Sequence, residues 1–314
     1  MATRTTTRLG LLRATALALC LHAASLPAFA ADRVRAVATF SILGDLVRQV
    51  GGDVVAVTTL VGPDADAHGY SPAPGDSRTL AAADIVFVNG LGFEGWLDRL
   101  IRASGSKAPV VVASAGVATI PSRHDHHHGG AGGHDAASSP DPHAWQSIPN
   151  AKVYVANIRD GLARVDPGHA ADYARNAEAY LARLDAVDAE IRATLARIPP
   201  EHRKVITTHD AFGYFSAAYG LTFLAPQGVS TDSEASPQDV ARIIRQVRQD
   251  KVPAVFIETI ADPRLMQQVS RESGARIGDK VYSDALSGAA GPASTYLNMM
   301  RSNLRAFGAA LGPS

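Results

Sequence analysis

The chain has 314 residues with 30 basic and 30 acidic side chains, 11 histidines and one cysteine. That balance provides no basic field for nucleic acid, and one cysteine excludes both a disulfide framework and a thiolate metal cluster. The length suits two lobes of ordinary domain size, each large enough to bury its own core.

Arg4, Arg8 and Arg13 form a basic start, followed by an apolar stretch from about Ala14 to Leu26 and by Ala28-Phe29-Ala30. This is the pattern of a secretory leader over residues 1–30, with the mature chain starting at Ala31. The apolar run falls short of the roughly 20 residues a membrane span needs. Cys20 lies inside the leader, but Leu19 stands where a lipoprotein signal wants a small residue, so a lipid anchor at Cys20 is not expected. Removing the three leader arginines leaves 27 basic against 30 acidic residues. A periplasmic location follows from the leader.

Short β-branched runs alternate with helix-period segments, which predicts an α/β fold with parallel sheets. In the first half the predicted strands are Val34–Phe40, Val54–Val61, Asp84–Asn89 and Val110–Ala113. Ser41 is positioned to cap a helix carrying Ile42, Leu46 and Val50 and ending at Gly51-Gly52. Residues 121–142 are rich in Gly, Ser, Asp and His, and are expected to form a solvated, disordered loop. A stripe of Tyr173, Tyr180, Leu184, Val187, Ile191, Leu195 and Ile198 predicts one long helix from about Pro167 to Ile198, read as a strut between two lobes. The second half repeats the style of the first, with strands at Val205–Thr208, Leu221–Leu224, Ala254–Glu258 and Lys280–Ser283. There Ser236-Pro237 opens a helix carrying Val240, Ile243, Ile244 and Val247. The expected division is therefore 31–165 for the amino lobe, 166–198 for the linker helix and 199–314 for the carboxy lobe.

Five histidines, His124, His126, His127, His128 and His134, sit in the glycine-rich insert with almost no large apolar neighbours. Imidazole is the commonest side-chain metal ligand, and histidine-rich tracts read as metal binding. Four further candidates follow predicted strand ends: His68, His143, His209 and Asp284. In open α/β sheets ligands bind beyond the carboxyl ends of strands, and two candidates come from each lobe. Three imidazoles and a carboxylate make a reasonable tetrahedral set for Zn²⁺. Each residue alone also has a plain reading: a histidine in a turn is usually a solvated polar residue, and Asp284 could cap a helix. No local metal motif fixes the geometry. The residues themselves lead to a metal site between two lobes and leave open whether the metal is stored, used or carried.

The same segments resemble the metal-binding solute receptors of bacterial zinc and manganese ABC importers. Similar stretches are Asn89 through Leu97, His209-Asp210-Ala211-Phe212-Gly213-Tyr214-Phe215, and Pro263-Arg264-Leu265-Met266 through Ser283-Asp284-Ala285-Leu286. The resemblance spans essentially the whole mature chain in the family's motif order. It implies two α/β lobes bridged by a rigid helix, with metal held by His68, His143, His209 and Asp284. It also implies an inner-membrane permease with its cytoplasmic ATPase as partners, a monomer, and no enzymatic activity. One departure is Ala67, where the family often has proline. Glu258 reads equally as an outer-shell group or a structural strand-end acid, and Tyr214 and Phe215 as core packing.

Imidazole at position 209 suits zinc better than manganese. The resemblance implies the same, since manganese-selective members tend to carry a carboxylate there and a histidine-rich insert marks the zinc branch. The insert histidines are expected to add weaker metal sites. Alternatives are a manganese receptor of the same family, a secreted zinc hydrolase using Glu258 as base, and an adhesin or zinc-storage protein.

Overall fold

A computed structural model describes Met1, residues 33–122 and residues 139–312. Residues 2–32, which hold nearly all of the expected leader and Cys20, and residues 123–138, with the five insert histidines, lie outside the described residues. Four parallel strands, β1 (Val34–Phe40), β2 (Val55–Val61), β3 (Ile85–Val88) and β4 (Val110–Val112), form one sheet in the order β2-β1-β3-β4. A second parallel sheet repeats that order as β6-β5-β7-β8, from β5 (Lys204–Ile206), β6 (Thr222–Leu224), β7 (Ala254–Val255) and β8 (Arg276–Ile277). Central β1 pairs on both edges, Val34 opposite Val55 and Ala36 opposite Ile85. Helices cover both faces of such a sheet, which explains why β1 buries its last five residues without alternation.

The amino-lobe helices are α1 (Ser41–Gly51), α2 (Pro74–Ala81) and α3 (Leu97–Ser104). Next come α4 (Ile148–Val165) and α5 (Ala170–Leu195). The carboxy lobe adds α6 (Gly213–Tyr219), α7 (Pro237–Asp250), α8 (Pro263–Ser273) and α9 (Tyr296–Leu311). Helix α1 buries Ile42, Leu46 and Val50 and stops where Gly52 turns to φ +59°, a conformation that costs glycine little. Ser236 caps α7 by accepting the Asp239 N–H at 3.1 Å, with Pro237 in the first turn.

The long helix is present, but it begins at Ala170 after a 3₁₀ turn at Pro167–His169. Its 26 residues span roughly 39 Å at 1.5 Å per residue. It runs beside α4, which the sequence reading passed over although Tyr154, Val155, Ile158 and Leu162 carry a helical stripe. Buried Tyr173, Tyr180, Leu184, Val187 and Ile191 set α5 against α1, α4 and α9. Among the described residues no helix is long and apolar enough to cross a membrane.

Three further expectations are corrected. Lys280–Ser283 is not a strand; the fourth strand of that sheet is Arg276–Ile277, and Val281 makes only an isolated bridge with Glu258. Ser41 does not cap α1; its hydroxyl accepts the N–H of Leu286 at 3.0 Å instead. The insert is ordered at its base, where Pro121 pairs with Pro140 and the Ser122 N–H donates to the Ser139 carbonyl at 2.9 Å. Ser122 and Asp141 are buried there.

Residues from Arg33 onward form one compact unit. Its main apolar core is continuous, from Phe40 and Phe87 past Tyr154 and Tyr180 to Phe215, Phe223 and Phe307. A smaller cluster of Ile206, Ile243, Val247, Val255 and Met266 fills the space under α7 and α8. The interior is thus shared across the helical layer rather than closed off lobe by lobe.

Candidate metal centre

All four residues read from the sequence converge, each from beyond the carboxyl end of a strand. His68 follows β2, His143 follows the excursion after β4, His209 lies three residues past β5, and Asp284 follows the short ladder at Val281. Their ligand atoms all lie within 4.8 Å of one another. His143, His209 and Asp284 are fully buried, and His68 is 8% exposed. No helix follows Asp284, so the capping reading for it is set aside.

Nε2 of His68 stands 3.2 Å from Nε2 of His143. The Asp284 carboxylate lies 3.3 Å from His68 Nε2, 3.2 Å from His209 Nε2 and 3.6 Å from His143 Nε2. Neither Asp284 oxygen has a well-aligned hydrogen bond; what faces them is the three imidazole nitrogens. A buried carboxylate of that kind is costly unless a cation or proton compensates it. Burial would push the Asp284 carboxyl up, but the imidazoles of His209 and His143 outweigh burial and hold it well below its ordinary 3.8. For His209 burial acts downward, and the carboxylates of Glu258 and Asp284 overcome it, holding the imidazole well above 6.5.

The nitrogens that face away from the centre have partners of their own. Nδ1 of His209 lies 2.5 Å from Glu258 Oε2, and Glu258 Oε1 accepts the His209 backbone N–H at 2.8 Å. Nδ1 of His143 lies 2.8 Å from Asp141 Oδ1. Such carboxylates fix ring orientation and tautomer and raise the basicity of the coordinating nitrogen. Glu258 thus lies against the His209 ring and backbone, where a carboxylate would orient that ring if Nε2 bound a metal.

Asp141 was missed in the sequence, yet a signal was there. Asp66-Ala67-His68 and Asp141-Pro142-His143 share an Asp-x-His pattern, and in both the histidine N–H donates to the aspartate Oδ1 at 2.9 Å. Each is an Asx turn, a local bond that aspartate favours. Tyr214 also does more than pack: its hydroxyl donates to the Asp141 carbonyl at 2.9 Å. Gly213 makes room beside it, since a Cβ there would meet Asp141 Oδ2 at 2.4 Å. Phe215 is core, as expected.

Residues 36–310 match the family described as zinc-uptake complex component A, periplasmic. The chain belongs to this family. Curated relatives include the iron-binding protein YfeA of Yersinia pestis, 35% identical over 274 residues, covering 87% of this chain and 85% of that one. Another is the manganese-binding lipoprotein MntA of Halalkalibacterium halodurans, 34% identical and covering 88% of each chain. Among solved structures, the periplasmic zinc binding protein TroA from Treponema pallidum superposes with a TM-score of 0.80 at 30% identity, covering 90% of this chain and 100% of that one. An S38A mutant of a manganese-bound periplasmic metal binding protein from Candidatus Liberibacter asiaticus gives 0.80 at 30% identity, covering 89% and 100%.

Members of the zinc-uptake component A family are extracytoplasmic substrate-binding receptors of metal ABC importers, working with a permease and its ATPase. They are not enzymes, so the hydrolase reading falls away. Some relatives are lipoproteins, so the argument from Leu19 against an anchor at Cys20 finds no support in them.

Proposed function

We propose that this receptor captures Zn²⁺ outside the cytoplasm through His68, His143, His209 and Asp284 and delivers it to its permease for import. The observation that carries the reading is the spacing of the four donors around a carboxylate with no well-aligned hydrogen bond of its own. Four donors at about 2.0–2.1 Å from Zn²⁺ on tetrahedral corners stand roughly 3.3–3.4 Å apart. The His68–His143 separation and those from the Asp284 carboxylate to the three imidazoles run from 3.2 to 3.6 Å, and all the ligand atoms lie within 4.8 Å of one another. Three imidazoles with one carboxylate suit zinc better than manganese, which favours six oxygens in an octahedron. A second reading, a manganese or iron receptor on the same residues, is favoured by the metals that name the relatives YfeA and MntA.

Residues 1–30 serve in this reading as the export leader, and the receptor acts as a monomer with lobes at 31–165 and 199–314 about the 166–198 helix. His124, His126, His127, His128 and His134 supply additional, weaker sites, because their glycine- and serine-rich composition favours no fixed ligand frame.

Titration calorimetry with Zn²⁺, Mn²⁺ and Fe²⁺ tests both levels. One tight zinc equivalent that vanishes in His143→Ala and in His209→Ala is the expected result. Tighter manganese or iron binding at that equivalent would move the cargo to the second reading, and unchanged binding in either variant would remove the ligand assignment. Deleting residues 123–138 should remove only weaker equivalents.

A further inference from the structure

The four proposed ligands share one feature: the carbonyl just before each is the acceptor of a long-range hydrogen bond. Ala67 O, before His68, accepts the indole N–H of Trp96 at 2.8 Å. Ser283 O, before Asp284, accepts the indole N–H of Trp145 at 2.9 Å and a Gln146 side-chain N–H at 2.6 Å. Pro142 O accepts from Asn89 Nδ2 at 2.9 Å, and Thr208 O from the backbone N–H of Gln227 at 3.3 Å. The chain has two tryptophans, and both are used in this way.

A carbonyl and the next residue's N and Cα lie in one rigid peptide plane. Anchoring the oxygen therefore restrains that plane and with it the position of the ligand's Cα. The anchors are themselves fixed. Trp145 is fully buried between Phe40 at 4.9 Å and Phe93 at 4.8 Å, and its own carbonyl accepts the Tyr296 hydroxyl at 2.5 Å. Trp96 lies edge-on to Tyr70 at 5.0 Å. A buried indole N–H usually finds some acceptor. Here both acceptors are carbonyls adjoining a ligand, 29 and 138 residues away in sequence.

We propose that Trp96 and Trp145 are positioning residues of the metal centre, Trp96 holding the His68 backbone and Trp145 holding the Asp284 backbone from the turn that also carries His143. Trp145 thereby couples the two halves of the site, because one short segment supplies an amino-half ligand and grips the chain beside a carboxy-half one. The inference rests on the metal-receptor reading above.

The test uses the full chain loaded with Zn²⁺, a chelator chase for the release rate, and Co²⁺ substitution for the ligand-field spectrum. Trp96→Phe and Trp145→Phe keep a ring and lose the donor. Each is expected to speed release by about tenfold, the lower end of what outer-shell partners contribute, and to shift the cobalt bands. Leu184→Ala opens a cavity in the buried stripe of α5 and keeps both donors and the rings around them; it should lower the melting temperature and leave release and spectrum as in wild type. If Trp145→Phe does not fold, 3-benzothienylalanine at position 145 replaces the N–H by sulfur within the same outline. Wild-type release and cobalt bands in the donor-lacking variants would overturn the proposal, leaving the tryptophans as packing alone. A wild-type chain that takes up no metal would instead overturn the receptor reading.

Discussion

His68 and His143 issue from a sheet whose two longest strands run seven residues each, whereas His209 and Asp284 issue from one whose strands have two or three. The amino-half ligands lean on aromatic rings: His68 meets Phe93 edge-on at 4.6 Å and His143 meets Trp145 at 5.3 Å. The carboxy-half ligands lean on charge, with Glu258 against His209 and Asp284 facing all three imidazoles. A long paired strand such as β2 delivers its end to a fixed place, and packing carries much of the rest. His143, well beyond short β4, also takes the Asp141 carboxylate at 2.8 Å. A two-residue strand cannot do this, so fixed position there depends on side-chain bonds. The halves are joined at the rim, where the Asp64 N–H donates to the Leu286 carbonyl at 2.8 Å and the Thr231 hydroxyl to Asp66 at 2.6 Å.

The comparison breaks most visibly at Asp284, the one residue that faces all three imidazoles. Asp284→Asn keeps the shape and removes the charge. Zinc affinity should fall by more than the roughly 100-fold that bounds an outer-shell loss, while the metal-free fold persists on the shared core. Calorimetry of the variant beside wild type decides it, and an affinity within tenfold of wild type would remove Asp284 from the ligand set.

Proton competition comes next in size. A coordinating imidazole must be neutral, so metal binding releases protons and affinity weakens as pH falls. His209 in the metal-free site is held well above 6.5 by Glu258 and Asp284. Competition at this residue therefore starts at higher pH than a free imidazole would give, and it grows as the pH is lowered. Zinc affinity measured from pH 8 down to pH 5 should fall by more than roughly tenfold per unit where two or more protons are displaced. A flat profile would be incompatible with three histidine ligands.

Glu258→Gln and Asp141→Asn compare the two outer shells directly. Each should lower zinc affinity by about 10- to 100-fold. The larger loss is expected at Glu258, which is fully buried and supports both the ring and the backbone N–H of His209. His143 keeps its aromatic contacts and the bond to its preceding carbonyl when Asp141 is changed. Equal losses would mean that packing contributes nothing to the amino half.

The sequence exposed these halves unequally. Long apolar strands such as Val34–Phe40 were legible because a strand buried on both faces needs an unbroken run of such residues. In the carboxy lobe the reading placed a strand at Lys280–Ser283 and missed Arg276–Ile277, because two-residue strands carry no periodicity. The four proposed ligands were visible through their places beyond strand ends and through family resemblance, not through local spacing. Asp141 was legible in its Asp-x-His pattern and passed over, whereas Asn89 and the acceptors of Trp96 and Trp145 were hidden, since those partners lie far apart in sequence and only the fold brings them together. Glu94 is similar: it accepts from Thr39, 55 residues away, and holds the Asn89 N–H at 2.6 Å.

The smallest expected effect tests whether the amino sheet is independent of the site it carries. At the amino end of central β1, Arg35 grips Asp84 with two side-chain bonds of 2.6 and 3.1 Å and a backbone N–H at 2.8 Å. The hydrogen bond from Arg35 holds the Asp84 carboxyl below its ordinary 3.8. A carboxyl lowered on folding adds stability above its unfolded value, and that stability is lost as the pH falls through the folded value. The pair is partly exposed, 61% for Arg35 and 38% for Asp84, so screening keeps its contribution under about 1 kcal/mol. Asp84→Asn should therefore lower the melting temperature slightly at pH 7, with the difference from wild type closing below pH 3.8. Zinc affinity should stay at the wild-type value, because β1 and its neighbours fix their carboxyl ends through pairing along the whole strand. A change in affinity would show that strain at the far end of β1 reaches His68 and His143, and that the amino half is held less rigidly than its long strands imply.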